Sequence, residues 1–156
     1  VLPGKMSRIF YSDDGSTATE VAVKMSLQYW WNKGEKKRNK VLALSNGYHG
    51  DTFGAMSVSD RSVFTLAFQE KLFDVIFVDA PETLNPSLAD LPWDEIACFI
   101  SEPMIQGAGG MKIYSAEGLQ AILKACHQQN VLQAMYYFQS VIKELDEILK
   151  KLKNDK

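Results

Sequence analysis

Asp14-Gly15-Ser16 stands at the head of a long apolar segment, in the position where a turn opens into a helix. Amides at a helix start, the positive end of the helix dipole and the Ser16 hydroxyl together make a cup for an anion such as phosphate, and Gly15 lets the backbone pass close to it. The same tripeptide also reads as a plain N-cap turn with no ligand. Gly47-Tyr48-His49-Gly50 sets an aromatic ring and an imidazole between two glycines, where a flat molecule can approach the backbone. Taken alone, Tyr48 is equally a rim aromatic and His49 a hydrogen-bonded loop residue. Ser101-Glu102-Pro103 brings a carboxylate to the end of an apolar run, with the glycine loop Gln106-Gly-Ala-Gly-Gly110 behind it. Glu102 reads both as an acceptor that fixes a loop and as one member of a convergent site, since polar groups from three expected strand ends point to one edge.

Other chemistries lack their residues. Gly4-Lys5 has no upstream glycine for a Walker A loop, and Gly107-Ala-Gly-Gly110 lacks the last glycine of a dinucleotide fingerprint, so neither ATP nor NAD is read. His127 has no set of ligands at metal spacing, and no GxSxG elbow is present. Lys plus Arg number 17 against 19 Asp plus Glu, a formal charge of −2, which gives no electrostatic reason for a nucleic-acid or anionic-membrane partner. Apolar runs such as Val75–Val78 and Ile96–Ile100 fall far short of the roughly 20 residues a bilayer span needs. Cys98 and Cys126 lie in apolar or helical patterns without CxxC spacing, so they read as reduced core thiols and the cytosol as the compartment.

The elements that must position these residues follow from the pattern. Arg8-Ile-Phe-Tyr11 reads as a strand running into the cap cluster Ser12–Ser16, and Thr17–Trp31 as a helix apolar on nearly every side, hence buried against a sheet. Glu35–Lys40 reads as a solvated loop with no function. Val41–Leu44, Val75–Val78 and Ile96–Ile100 read as buried strands, Asp51 or Thr52 as the cap of a second helix, and Ser115 as the cap of a third reaching about Asn130. Such alternation predicts an α/β fold with a partial, mostly parallel sheet covered by helices on both faces. From Gln133 to Lys156 no strand is read; Phe138, Val141, Leu145, Ile148 and Leu152 recur at helical spacing and predict an amphipathic terminal helix. With 156 residues opening on Val1, the chain reads as one domain or as a piece of a larger one.

Ser12-Asp-Asp-Gly-Ser-Thr-Ala-Thr-Glu-Val-Ala-Val-Lys-Met25, Gln28-Tyr-Trp30, Asn46-Gly-Tyr-His-Gly-Asp-Thr-Phe-Gly-Ala-Met-Ser57 and Glu102-Pro-Met-Ile-Gln-Gly-Ala-Gly-Gly-Met111 resemble the class III aminotransferases of the pyridoxal-phosphate fold type I. The likeness runs in order from about Leu2 to Leu132, and the block from Tyr48 to Ser57 is its most specific part. It implies pyridoxal 5'-phosphate as cofactor, an amino donor and a keto acid as substrates, and a homo-oligomer. It also implies that Gly15 and Ser16 hold the cofactor phosphate and that Tyr48 stacks on the pyridine ring or lines the channel beside it. His49 is then an adjacent pocket residue and Glu102 part of the polar network near the ring.

The family pattern further expects a strand carrying Asp-Glu after the third helix, its aspartate pairing with the pyridine nitrogen, and later the lysine that bonds the cofactor. Here Leu132 is followed by Gln133-Ala-Met-Tyr-Tyr137, and no lysine lies in a Ser-Lys or Lys-x-x-Thr-Gly-Gly context. The expectation is a partial large domain over residues 1–132, inactive alone, with residues 133–156 joined after an internal deletion. The other reading is a non-catalytic interaction or folding fragment whose exposed sheet edge and terminal helix drive association with itself or with a full-length relative.

Overall fold

Branched and aromatic runs pair side by side into one sheet in the computed structural model, which describes residues 10–83 and 87–135. The strands are β1 (Lys40–Leu44), β2 (Val75–Val78), β3 (Ile96–Ser101) and β6 (Leu132–Met135), in the order β2-β1-β3-β6. Every pairing is parallel: Val41 faces Val75 and Leu44 faces Val78, while Cys98 faces Leu132 and Ser101 faces Met135. Helix α1 (Gly15–Asn32) precedes β1, α2 (Phe53–Val58) follows it, and α3 (Ala116–Gln128) leads into β6. A small antiparallel hairpin of β4 (Ile105–Gln106) and β5 (Lys112–Ile113) rises from the end of β3.

Alternation along the strands builds a core on each face. Val41, Ala43, Cys98 and Ile100 pack with Val23 of α1 and Val58 of α2. Leu42, Leu44 and Phe99 pack with Leu119, Ile122 and Cys126 of α3 on the other side. The sheet is thus covered on both faces, as the sequence predicts. Cys98 and Cys126 are both buried and unbridged, and burial pushes their thiols up to about 11 and about 12 respectively.

Several expectations change. Phe10 and Tyr11 form no strand and are exposed; Arg8 and Ile9, the other half of that expected strand, lie outside the described residues. Helix α1 starts at Gly15, because Asp14 takes the cap: its carboxylate accepts the Thr17 amide at 2.8 Å and the Thr17 hydroxyl accepts the Asp14 amide at 3.2 Å. Its buried line is Thr19, Val23, Ser26 and Trp30, while Met25 and Trp31 are each 58% exposed. The apolar residues round the helix therefore exceed what one sheet face can cover.

The basic run is not simply solvated. Arg38 lies over the Trp30 ring at 4.4 Å and donates to the carbonyls of Trp93, Ile96 and Gln129 at 3.0, 3.1 and 3.2 Å. Trp30 in turn donates its indole N–H to Ala97 at 2.8 Å. Ser115 does cap α3, accepting the Gly118 amide at 3.0 Å without a reciprocal bond. Residues 133–135 belong to β6, a strand the sequence does not predict; the amphipathic pattern from Phe138 to Leu152 lies outside the described residues. No helix among the described residues is long and apolar enough to cross a membrane.

Candidate functional site

The start of α1, the loop after β1 and the loop after β3 meet at the carboxyl edge of the sheet, where parallel sheets take their ligands. The meeting point is a cavity of about 310 Å³ lined by Gly15, Ser16, Tyr48, His49 and Glu102, together with Asp14 and Gly50. All five residues singled out in the sequence therefore share one cavity. Two strand ends and a helix start build it, not three strand ends.

Gly15 and Ser16 occupy the first turn of α1, at the positive end of the helix dipole. The Ser16 hydroxyl oxygen accepts the Asp51 amide at 3.0 Å, which leaves its own proton to donate. Gly50 makes this approach possible. Its φ is +128°, and a Cβ there would overlap the Ser16 side chain and backbone, so only glycine lets the loop lie against the helix start.

One face of α1 holds the rest of that loop. Thr19 donates to the His49 carbonyl at 2.8 Å, and Oε2 of Glu20 accepts both the Thr52 hydroxyl at 2.6 Å and the Ala55 amide at 3.1 Å. Thr52 stands at the N-cap of α2 but makes no side-chain cap bond there, so Glu20 supplies the cap from another helix. The Ser59 hydroxyl accepts the His49 amide at 2.8 Å. His49 is 4% exposed, and burial lowers its pKa to about 4, which keeps the imidazole neutral near pH 7.

Tyr48 remains 45% exposed and donates its hydroxyl to Asp51 Oδ2 at 2.8 Å. That bond, with burial and the nearby charge behind it, raises its pKa. Glu102 uses both oxygens on backbone: Oε2 accepts the Tyr48 amide at 3.0 Å and Oε1 the Gly107 amide at 3.0 Å. It is a loop-fixing acceptor at the cavity wall.

Donor chemistry decides what fits. A hydroxyl with a proton to give at the positive end of a helix dipole suits a phosphate, and the Tyr48 ring beside it suits one face of a flat heterocycle. Among the described residues no lysine lines the cavity, and β6 has the sequence Leu-Gln-Ala-Met where the family pattern expects Asp-Glu. Among the described residues no group of three or more His, Cys, Asp or Glu could hold a metal ion. A larger cavity of about 570 Å³, lined in part by Tyr29, Lys33, His127 and Gln133, sits at the opposite end of the sheet near the starts of β1 and β6.

Sequence reasoning missed Thr19, Glu20, Asp51 and Ser59. The readable signal was the i, i+3, i+4 spacing of Ser16, Thr19 and Glu20, three polar residues on one face of a helix otherwise rich in apolar ones.

Residues 1–135 match the family model described as Aminotransferase class-III, and the chain belongs to this family. Among its curated relatives is the adenosylmethionine-8-amino-7-oxononanoate aminotransferase of Synechococcus elongatus, 43% identical over 136 residues, covering 78% of this chain and 32% of the relative. The crystal structure of the Methanocaldococcus jannaschii protein of the same name superposes with a TM-score of 0.73 at 34% identity, over 80% of this chain and 30% of that one. A PLP-bound amine transaminase from an uncultivated Pseudomonas species gives a TM-score of 0.71 at 30% identity, over 80% of this chain and 32% of that one. The chain thus spans about a third of the length of these relatives. Pyridoxal 5'-phosphate is the cofactor of the family, and the fold is that of its transaminase structures.

Proposed function

We propose that this chain is the phosphate-gripping part of an aminotransferase that carries an amino group to 8-amino-7-oxononanoate, forming 7,8-diaminononanoate in biotin biosynthesis. The names of the relatives support the substrate, and the cavity that gathers Gly15, Ser16, Tyr48, His49 and Glu102 is the observation that carries the reading. When bound, pyridoxal 5'-phosphate supplies the electron sink for amino-group transfer. Ser16 binds the phosphate at the positive end of α1, as a charge-assisted hydrogen bond favours. Tyr48 covers one ring face, with its hydroxyl steadied by Asp51. Glu102 keeps the Tyr48 and Gly107 loops in place, and neutral His49 fills the wall without adding a positive charge.

Among the described residues lining this cavity are neither the lysine nor the ring-nitrogen aspartate needed to turn the cofactor over. Our reading is therefore binding without turnover by the chain alone, over a partial large domain. We place it in the cytosol with an amino donor and a keto acid as the parent's substrates, and assign no role to nucleic acid or membrane. A second reading, self-association, is favoured by one observation: Val63, Phe64 and Leu66 present a contiguous exposed apolar loop.

Titration with pyridoxal 5'-phosphate, followed by absorption before and after borohydride, tests the reading. Saturable binding that borohydride does not make covalent is the expected result. Reduction onto one particular lysine refutes the missing-lysine part of the reading, and no saturable binding leaves self-association as the function.

A further inference from the structure

We propose that Glu20 is a positioning residue for the ring-binding half of this site, acting through the loop from Tyr48 to Ala55. The inference rests on the reading that the cavity takes a phosphorylated pyridine cofactor. Glu20 does not line the cavity. Its Oε2 holds the Thr52 hydroxyl and the Ala55 amide, and so fixes the point where the loop enters α2. Tyr48, His49 and Asp51 lie just before that point.

The loop is tied to α1 at three successive places, by Ser16 to Asp51, Thr19 to His49 and Glu20 to Thr52 and Ala55. Ser16 also belongs to the phosphate cup. Glu20 is the member of the trio that reaches furthest along the loop and stands furthest from the cup, one helical turn down. Its loss therefore frees the Tyr48 ring while leaving the first-turn amides of α1 as they are.

Gly54 gives a second way to the same disturbance. A Cβ there would overlap the Glu20 carboxylate, the far end of a flexible side chain, so the carboxylate is what moves. Gly54→Ala suits a helical position and displaces Glu20 without deleting it.

The test measures the affinity of the full chain for pyridoxamine 5'-phosphate, which cannot form an imine with lysines, and for inorganic phosphate. Glu20→Ala and Gly54→Ala weaken pyridoxamine 5'-phosphate by about tenfold, a 1.4 kcal/mol change, and inorganic phosphate by less than about twofold. Glu20→Gln restores affinity, because both bonds go to one oxygen that an amide oxygen can replace. If the two ligands weaken in step, Glu20 only supports the fold and the proposal is overturned. Hydrogen exchange reads the link without any ligand. The Ala55 and Asp51 amides exchange faster in Glu20→Ala while those of Val41–Leu44 do not, and unchanged exchange at Ala55 overturns the proposal even where ligand binds. If the native chain binds neither ligand, the reading of the cavity falls, and Glu20's role with it.

Discussion

A serine hydroxyl that accepts one backbone N–H keeps its own proton for another acceptor, and Ser16 is in that state at the mouth of the cavity. A charge-assisted bond from it to phosphate is worth about 1.5–3 kcal/mol, so Ser16→Ala is expected to lower pyridoxamine 5'-phosphate affinity by roughly 10- to 100-fold in calorimetry. His49 gives a pH-dependent prediction. The unfolded imidazole takes up its proton near 6.5, whereas the folded one resists until about 4, so the unfolded chain binds more protons between these values. Stability contributed by His49 is full above pH 6.5 and lost as pH falls toward 4, up to about 3 kcal/mol. Urea unfolding at pH 7 and 4.5 should show that loss, and His49→Asn should reduce it. The chemical identity of Gly15, Ser16, Tyr48, His49 and Glu102 was enough to mark them in the sequence. Glu20 was not, because its meaning depends on a loop more than thirty residues away that only folding brings beside it.

Strands and helices were legible where composition and burial agree. Ile96–Ser101 is buried throughout and Val75–Val78 is half-buried except at Val78, yet both are apolar runs that the hydrophobic pattern alone finds. β6 was hidden because Leu-Gln-Ala-Met has no β-branched residue, and its strand character comes from pairing with β3. The opposite error fell on Phe10 and Tyr11, whose side chains suit a strand but which find no partner to pair with. The turn before β1 was misjudged for a third reason. Arg38 sits in a charged run, yet its planar fork reaches three carbonyls from the β3 approach and the end of α3. Arg38→Ala is expected to cost about 3 kcal/mol by leaving those carbonyls without their donor, and Arg38→Lys to recover only part, as measured by urea unfolding.

For the fold as a whole, exposed apolar side chains accompany an apolar core on each face of the sheet. Phe53 and Phe68 meet edge to face at 6.0 Å, and both, like Val63, Phe64 and Leu66, are exposed. Concentration-dependent self-association is the expected behaviour in sedimentation velocity, and Phe64→Glu should shift the chain toward monomer; a monomer at all concentrations would remove these side chains from the account. The central claim is that the first turn of α1 seats the phosphate. Amide NMR during titration with pyridoxamine 5'-phosphate, with phosphate-free pyridoxamine as control, tests it most directly. The account predicts saturable shifts of the Gly15 and Ser16 amides with the phosphorylated compound and little movement there with the control. Equal shifts from both compounds, or shifts that bypass Gly15 and Ser16, would contradict it.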